Sequence, residues 1–185
     1  PANPKRGFPV RRENLKRLGA AYWWVVAVGG VFTLARFSEA FLVLRAQQGG
    51  LATALVPLVL IAMNLVYSIG AYPFGKLADR MSHRALLAGG LVVLIASDAL
   101  LALAAQGPLL WTGIALWGLH MAMTQGLLAA MVAGCAPADL RGTAFGCFNL
   151  VSGIALLAAS ALAGWLWDQW GAFFTFWCGA GLASA

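Results

Sequence analysis

Charge is scarce in this sequence: twelve Lys and Arg and six Asp and Glu stand among 185 residues, 10% of the chain. Soluble domains carry roughly a quarter charged residues because their exterior must face water, so an ordinary soluble fold is excluded. Acid is scarcer than base. An integral-membrane enzyme, such as a lipid-modifying transferase, needs acidic or His residues clustered at an interface for metal or nucleophile chemistry. Asp79 and Asp139 stand too isolated to supply such a cluster. The three cysteines, Cys135, Cys147 and Cys178, show neither CxxC nor metal-ligand spacing. They read as small buried apolar residues, and neither a metal nor a cofactor is expected. The roughly ten-residue alternation of a membrane barrel is missing too. An open sheet cannot satisfy its backbone in lipid, which leaves helices.

What the chain has in abundance is apolar sequence. It is 62% hydrophobic with a mean hydropathy of +0.83, and Leu51 to Tyr72, Ala85 to Ala105 and Pro108 to Ala133 are nearly free of charge. About 20 apolar residues cross a hydrocarbon core of about 30 Å. The expectation is an all-α membrane protein: a basic linker over 1–19, then a six-helix transmembrane unit over 20–185. Spans are expected at about 20–44, 51–72, 85–105, 108–133, 143–164, and 173–185. The breaks fall at Gln47 to Gly50, Tyr72-Pro73, Gly107-Pro108, Ala136-Pro137 and Asp168 to Gly171. Pro108 suits a first helical turn, whereas Pro57 is expected to kink the second span. The last segment reaches roughly 20 Å at 1.5 Å per residue, which does not span, so the chain reads as an internal piece with an incomplete final helix. The first apolar run is too long for the apolar core of a cleavable signal peptide.

Basic residues set the orientation. With the N-terminus in the cytoplasm, Lys5, Arg6, Arg11, Arg12, Lys16, Arg17, Lys76, Arg80, Arg84 and Arg141 all lie inside, ten of the twelve Lys and Arg. Arg45 alone falls outside and Arg36 lies within a span, a strong positive-inside bias. Tyr22, Trp23 and Trp24 are then expected at the inner interface, and Trp165, Trp167 and Trp170 at the outer one. The net charge of +6 follows from topology, and the basic arm faces anionic lipid of the bilayer rather than nucleic acid.

Between the second and third spans lies GKLADRMSHR, residues 75–84. With it the chain resembles the major facilitator superfamily, whose halves carry G-x-L-A-D-R-x-G-R-[KR] at this place. Gly75, Leu77, Ala78, Asp79, Arg80 and Arg84 match, while Ser82 and His83 replace a usual Gly and Arg. The basic segment before the first span looks like the central loop joining two halves, and residues 137–146 resemble the lead-in to the fifth helix of a half. The departures in the loop and the basic linker favour the C-terminal half. The resemblance implies a six-helix bundle in a multi-pass protein of the cell (inner) membrane. It also implies a missing N-terminal six-helix half as partner, and secondary active transport of a small-molecule substrate by alternating access. Proton-coupled efflux is the expected mode; the rival readings are a channel, a structural membrane domain or the membrane enzyme above. In the family this loop belongs to a charge network that stabilises the state closed to the cytoplasm, which makes Gly75, Asp79, Arg80 and Arg84 a candidate latch. On residue types alone, a plain orienting loop fits equally. Asp79 is the residue expected to accept hydrogen bonds from a neighbouring helix N-terminus.

Intramembrane polar groups are costly unless paired, hydrated or used. Arg36 and Glu39, three residues apart, are expected on one helix face, either neutralising each other or lining a water-filled path. Asn64, His120, Thr124 and Gln125 fall at comparable depth, and with Arg36 they make a midplane polar belt. Substrate or ion path candidates are therefore Arg36, Glu39, Asn64, His120 and Gln125. His120 suits either a proton relay or a hydrogen bond to a helix neighbour. Asp98 sits on a helix that is peripheral in the family, so it either faces inward against that pattern or lies nearer the outer interface. Gly142, Gly146 and Gly153 are expected to pack tightly against a neighbouring helix.

Overall fold

The computed structural model describes residues 12–104 and 106–184. Lys5, Arg6 and Arg11 of the basic arm, with Ala105 and Ala185, lie outside the described residues, as does the side chain of Arg12. The helices are α1 (Arg12–Arg17), α2 (Ala20–Ala35), α3 (Ala40–Gln48), α4 (Val56–Ala78), α5 (His83–Leu103), α6 (Gly107–Cys135) and α7 (Arg141–Ser184). Short 3-10 turns, Thr53–Leu55 and Ala138–Leu140, lead into α4 and α7. The described residues are helical with no strand, and the α2–α3 unit, α4, α5, α6 and α7 are each long and apolar enough to cross a membrane. The described residues thus form an all-α bundle, as expected.

Three boundaries differ from the sequence expectation. The first span is not one continuous helix: α2 stops at Ala35 and α3 starts at Ala40. Pro57 does not kink a helix interior, because it sits in the first turn of α4, where its missing N–H has no intrahelical partner to lose. The helix instead runs through Pro73 and ends at Ala78. At the far end, the break expected at 168–171 is a bend within α7 at Gly171, whose φ of 79° lies in the left-handed region that glycine adopts without a Cβ clash. The bend splits α7 into a first arm that follows α2 and a second arm that turns back onto α5. Pro108 does occupy the first turn of α6.

α2 and the first arm of α7 run parallel and in step. Arg17 Nη2 meets Asp139 Oδ2 at 2.8 Å, Tyr22 Oη donates to the Ala144 carbonyl at 2.8 Å, and the Ser38 N–H donates to Ser160 Oγ at 3.1 Å, each pair 122 residues apart. A constant offset is what parallel helices of equal rise produce. The main core gathers Leu42, Val59, Leu94, Leu101, Ile114, Trp117 and Phe176. Two smaller clusters close the other end, one around Tyr22, Val132 and Leu140, the other around Leu86 and Leu127 with Phe74 and Leu77. The α1–α2 turn, the α4–α5 loop and the α6–α7 connection thus share one end of the bundle. Tyr22 is fully buried there instead of facing the interface, since its hydroxyl is held by Ala144; Trp24 remains exposed.

Two packing expectations fail. Gly142, Gly146 and Gly153 face open space, with nothing within 4 Å of an added Cβ. The cysteines are free and only half-buried.

Candidate functional site

The break in the first span builds the site. Arg36 takes an extended conformation (φ −118°, ψ 111°), with its N–H on the Thr33 carbonyl at 3.2 Å. The backbone that leaves the helix is caught from two sides: Ser160 accepts from the Ser38 N–H, and Ser38 Oγ accepts from the Ala40 N–H at 3.3 Å. Non-helical backbone at membrane depth is stable only where protein or a cavity surrounds it. Arg36 and Glu39 therefore do not share one helix face. Arg36 stands at the C-terminus of α2 and Glu39 at the N-terminus of α3, each charge opposite in sign to the helix end it meets. They remain within ion-pair reach, Arg36 Nη1 to Glu39 Oε1 at 3.7 Å, both partly exposed. Such a separation is too long for a hydrogen bond, so the guanidinium keeps its donors available.

Those donors border a cavity of about 310 Å³ between α2, α6 and the first arm of α7. Arg36, His120, Thr124 and Gln125 are brought together in its wall. His120 is buried, its Nδ1 2.8 Å from the Gly90 carbonyl of α5. A carbonyl can only accept, so Nδ1 carries the proton and Nε2 is left as the second ring nitrogen. Thr124 donates back to the His120 carbonyl at 2.8 Å. Asn64 lies elsewhere: it is exposed on α4, donating to the Leu60 carbonyl of its own helix. Glu39 reaches the cavity only through Arg36.

Sequence reading missed the α7 wall, Phe145, Phe148, Asn149 and Ser152, and Thr33 on α2. The signal was present, since spacings of three and four along α7 put those four residues on one helix face. Ser152 Oγ is buried there without a hydrogen-bond partner, and Thr33 donates to the Gly29 carbonyl at 2.7 Å. An arginine with free donors, amides at Gln125 and Asn149 and an unpaired hydroxyl, backed by three phenylalanines, suit a polar solute with an apolar body.

The family model of the Major Facilitator Superfamily matches residues 26–185. The chain belongs to the major facilitator superfamily. An uncharacterized MFS-type transporter of Methanocaldococcus jannaschii is 32% identical over 174 residues, which cover 90% of this chain and 43% of that protein. The chain thus spans less than half the length of that curated relative. No solved structure matches the chain. As a facilitator-family protein with these helices it is a multi-pass membrane protein with a membrane-transport fold.

Within the family loop, Gly75 still belongs to α4 and Asp79 caps it. Asp79 does not serve a helix N-terminus: Ser82 caps α5 instead, accepting from the Ala85 N–H at 3.3 Å. Asp79, Arg80 and Arg84 are exposed and form no ion pair with one another. Lys76 Nζ lies over the Tyr72 ring, 4.6 Å from its centroid.

Proposed function

We infer that this chain is one half of a secondary transporter and that the cavity between α2, α6 and α7 forms one wall of its substrate path. The observation that carries this reading is the broken first span. A helix interrupted within the membrane, with a charged residue at the interruption facing a cavity, is the arrangement by which transporters hold polar solutes near the midplane. Arg36 meets the solute or coupling ion, and Gln125 and Asn149 add hydrogen bonds. The other wall comes from a second six-helix half, and transport proceeds by alternating access with proton-driven efflux of a small organic molecule. The N-terminus lies in the cytoplasm, a reading supported by the basic connections meeting at one end of the bundle. There the exposed Asp79, Arg80 and Arg84 are available to latch onto the partner half.

The test compares Arg36→Met, Glu39→Gln and the double variant in the full-length protein, with membrane abundance and flux scored separately. Solutes whose cellular level changes on expression, found by mass spectrometry, supply the transport probe. The double variant should be abundant but at least about tenfold slower, because it removes a charge pair without stranding either partner. Near wild-type flux in the double variant would reduce Arg36 and Glu39 to a structural pair. Saturable, gradient-driven flux supports a transporter, and ohmic conductance a channel.

A further inference from the structure

Asp98 plays no part in the cavity, yet it is the most demanding residue in the bundle. It is fully buried in α5, and neither carboxyl oxygen has a hydrogen-bond partner. The second arm of α7 closes over it through Gly179, where an added Cβ would stand 2.8 Å from Asp98 Oδ2 and 2.8 Å from Phe37 Cε1. Only a residue without a Cβ allows this approach. Phe37 comes from the broken segment, next to Arg36, and packs at a tilt against Trp117 and Phe176 with ring centroids 5.4 Å away in each case. Trp117 is itself fully buried with its indole N–H unpaired. The neighbouring Ser97 offers nothing, since it donates to the Gly113 carbonyl at 2.8 Å.

The charged and titratable groups on the surrounding elements are engaged elsewhere. Arg36 and Glu39 face each other across the break, and Arg45 of α3 holds the Leu101 and Ala102 carbonyls at 2.6 and 2.8 Å. His120 of α6 is on the Gly90 carbonyl. On α7, Cys178 is a free thiol beside Gly179, and Asp168 is an acid, which brings no cation. None gives Asp98 a hydrogen bond. A carboxylate stripped of water, cation and donor is far costlier than a carboxylic acid in the same place. A proton is the ligand that removes the charge without needing room.

We propose that Asp98 is a proton-binding site, loaded while Phe37 and Gly179 close over it and unloaded when that seam parts and admits water. On unloading, the proton passes from the carboxyl oxygen to water, and the carboxylate left behind takes its hydrogen bonds from the same water. The geometry supplies the movement. Phe37 shares four non-helical residues with Arg36, so displacement of the cavity wall displaces the seal. A small crevice of about 10 Å³ is bordered by Phe37, Cys178 and Gly179, which places Cys178 beside the seam. The use of this proton in coupling rests on the transporter reading; the site itself does not.

The experiment uses the full-length protein in lipid vesicles. Infrared difference spectra over a pH titration should show a carboxylic-acid C=O band that vanishes on alkalinisation. The band should be absent in Asp98→Asn, shifted but present in Asp98→Glu, and unchanged in Glu39→Gln. Modification of the native Cys178 by N-ethylmaleimide, resolved from Cys135 and Cys147 by mass spectrometry, reports the seam. Its rate in wild type relative to Asp98→Asn should rise at least about threefold as pH increases, the ratio cancelling the thiol's own ionisation. No Asp98-dependent band at any pH where the protein stays folded would overturn the site. A band accompanied by a flat Cys178 ratio would overturn the opening of the seam. Neither readout depends on transport, so failure of the Arg36 comparison leaves both standing, and their failure leaves the substrate-path reading standing.

Discussion

Arg36 and Asp98 are both ionisable residues within the membrane, linked through Phe37, which follows Arg36 in the chain and meets Asp98 at Gly179, and their surroundings are opposite. Arg36 has a cavity, a neighbouring carboxylate and spare donors, whereas Asp98 has aromatic rings, a glycine and no partner. The difference lies in what each backbone does. A broken helix exposes polar groups that demand company, so Arg36 is served by Glu39 and by the helix end itself. An intact helix satisfies its own backbone and gives nothing to a side chain, so Asp98 depends on what neighbouring helices bring. They bring apolar surface. Depth in the membrane thus says less about an ionisable residue than the continuity of the helix that bears it.

The contrast can be broken most directly at the wall between the two sites. Phe37→Ala removes the ring contacts with Phe41, Trp117 and Phe176, at centroid distances of 5.1, 5.4 and 5.4 Å. It should lower stability by about 3–5 kcal/mol, read as thermal unfolding in detergent. A loss under about 1 kcal/mol would mean that the wall is not a packed element. Glycine substitutions sharpen the comparison at the next level. Gly179→Ala forces a methyl against Asp98 and Phe37 and should cost about 1–3 kcal/mol, while Gly146→Ala, in open space, should cost nothing. Equal effects at the two positions would remove the seam. The smallest effect belongs outside the membrane. Arg17 and Asp139 pair at 2.8 Å with both side chains more than half exposed, 55% and 58%. Arg17→Ala should change stability by about 0.5 kcal/mol or less, with salt abolishing even that.

Much of this architecture was legible in the sequence because hydrocarbon imposes few solutions. Long uncharged runs must be helices, and the basic connections at one end follow from their placement between alternate spans. The polar belt of Arg36, His120, Thr124 and Gln125 was readable from depth alone. Depth does not give rotation about the helix axis, which is why Asn64, at the same level, turned out to be exposed on α4. The break at 36–39 was not legible, since Arg, Phe, Ser and Glu all tolerate a helix; it depends on Ser160, 122 residues from Ser38, receiving the released N–H. Asp98 stayed ambiguous for a related reason. The break at 168–171 was readable, but only the way the second arm of α7 packs back brings Gly179 over Asp98, and the sequence of that arm does not say which of its residues faces α5.

Arg45, which topology alone assigns to an outside loop, has a mechanical consequence. By gripping the last carbonyls of α5 it fastens α3 to that helix, while Tyr22 and the Ser38–Ser160 bond fasten α2 to the first arm of α7. The first span is thereby anchored at its two ends to different helices, and residues 36–39 join the two anchorages. The two anchorages meet in those four residues, which carry Arg36 to the cavity and Phe37 to the cover of Asp98.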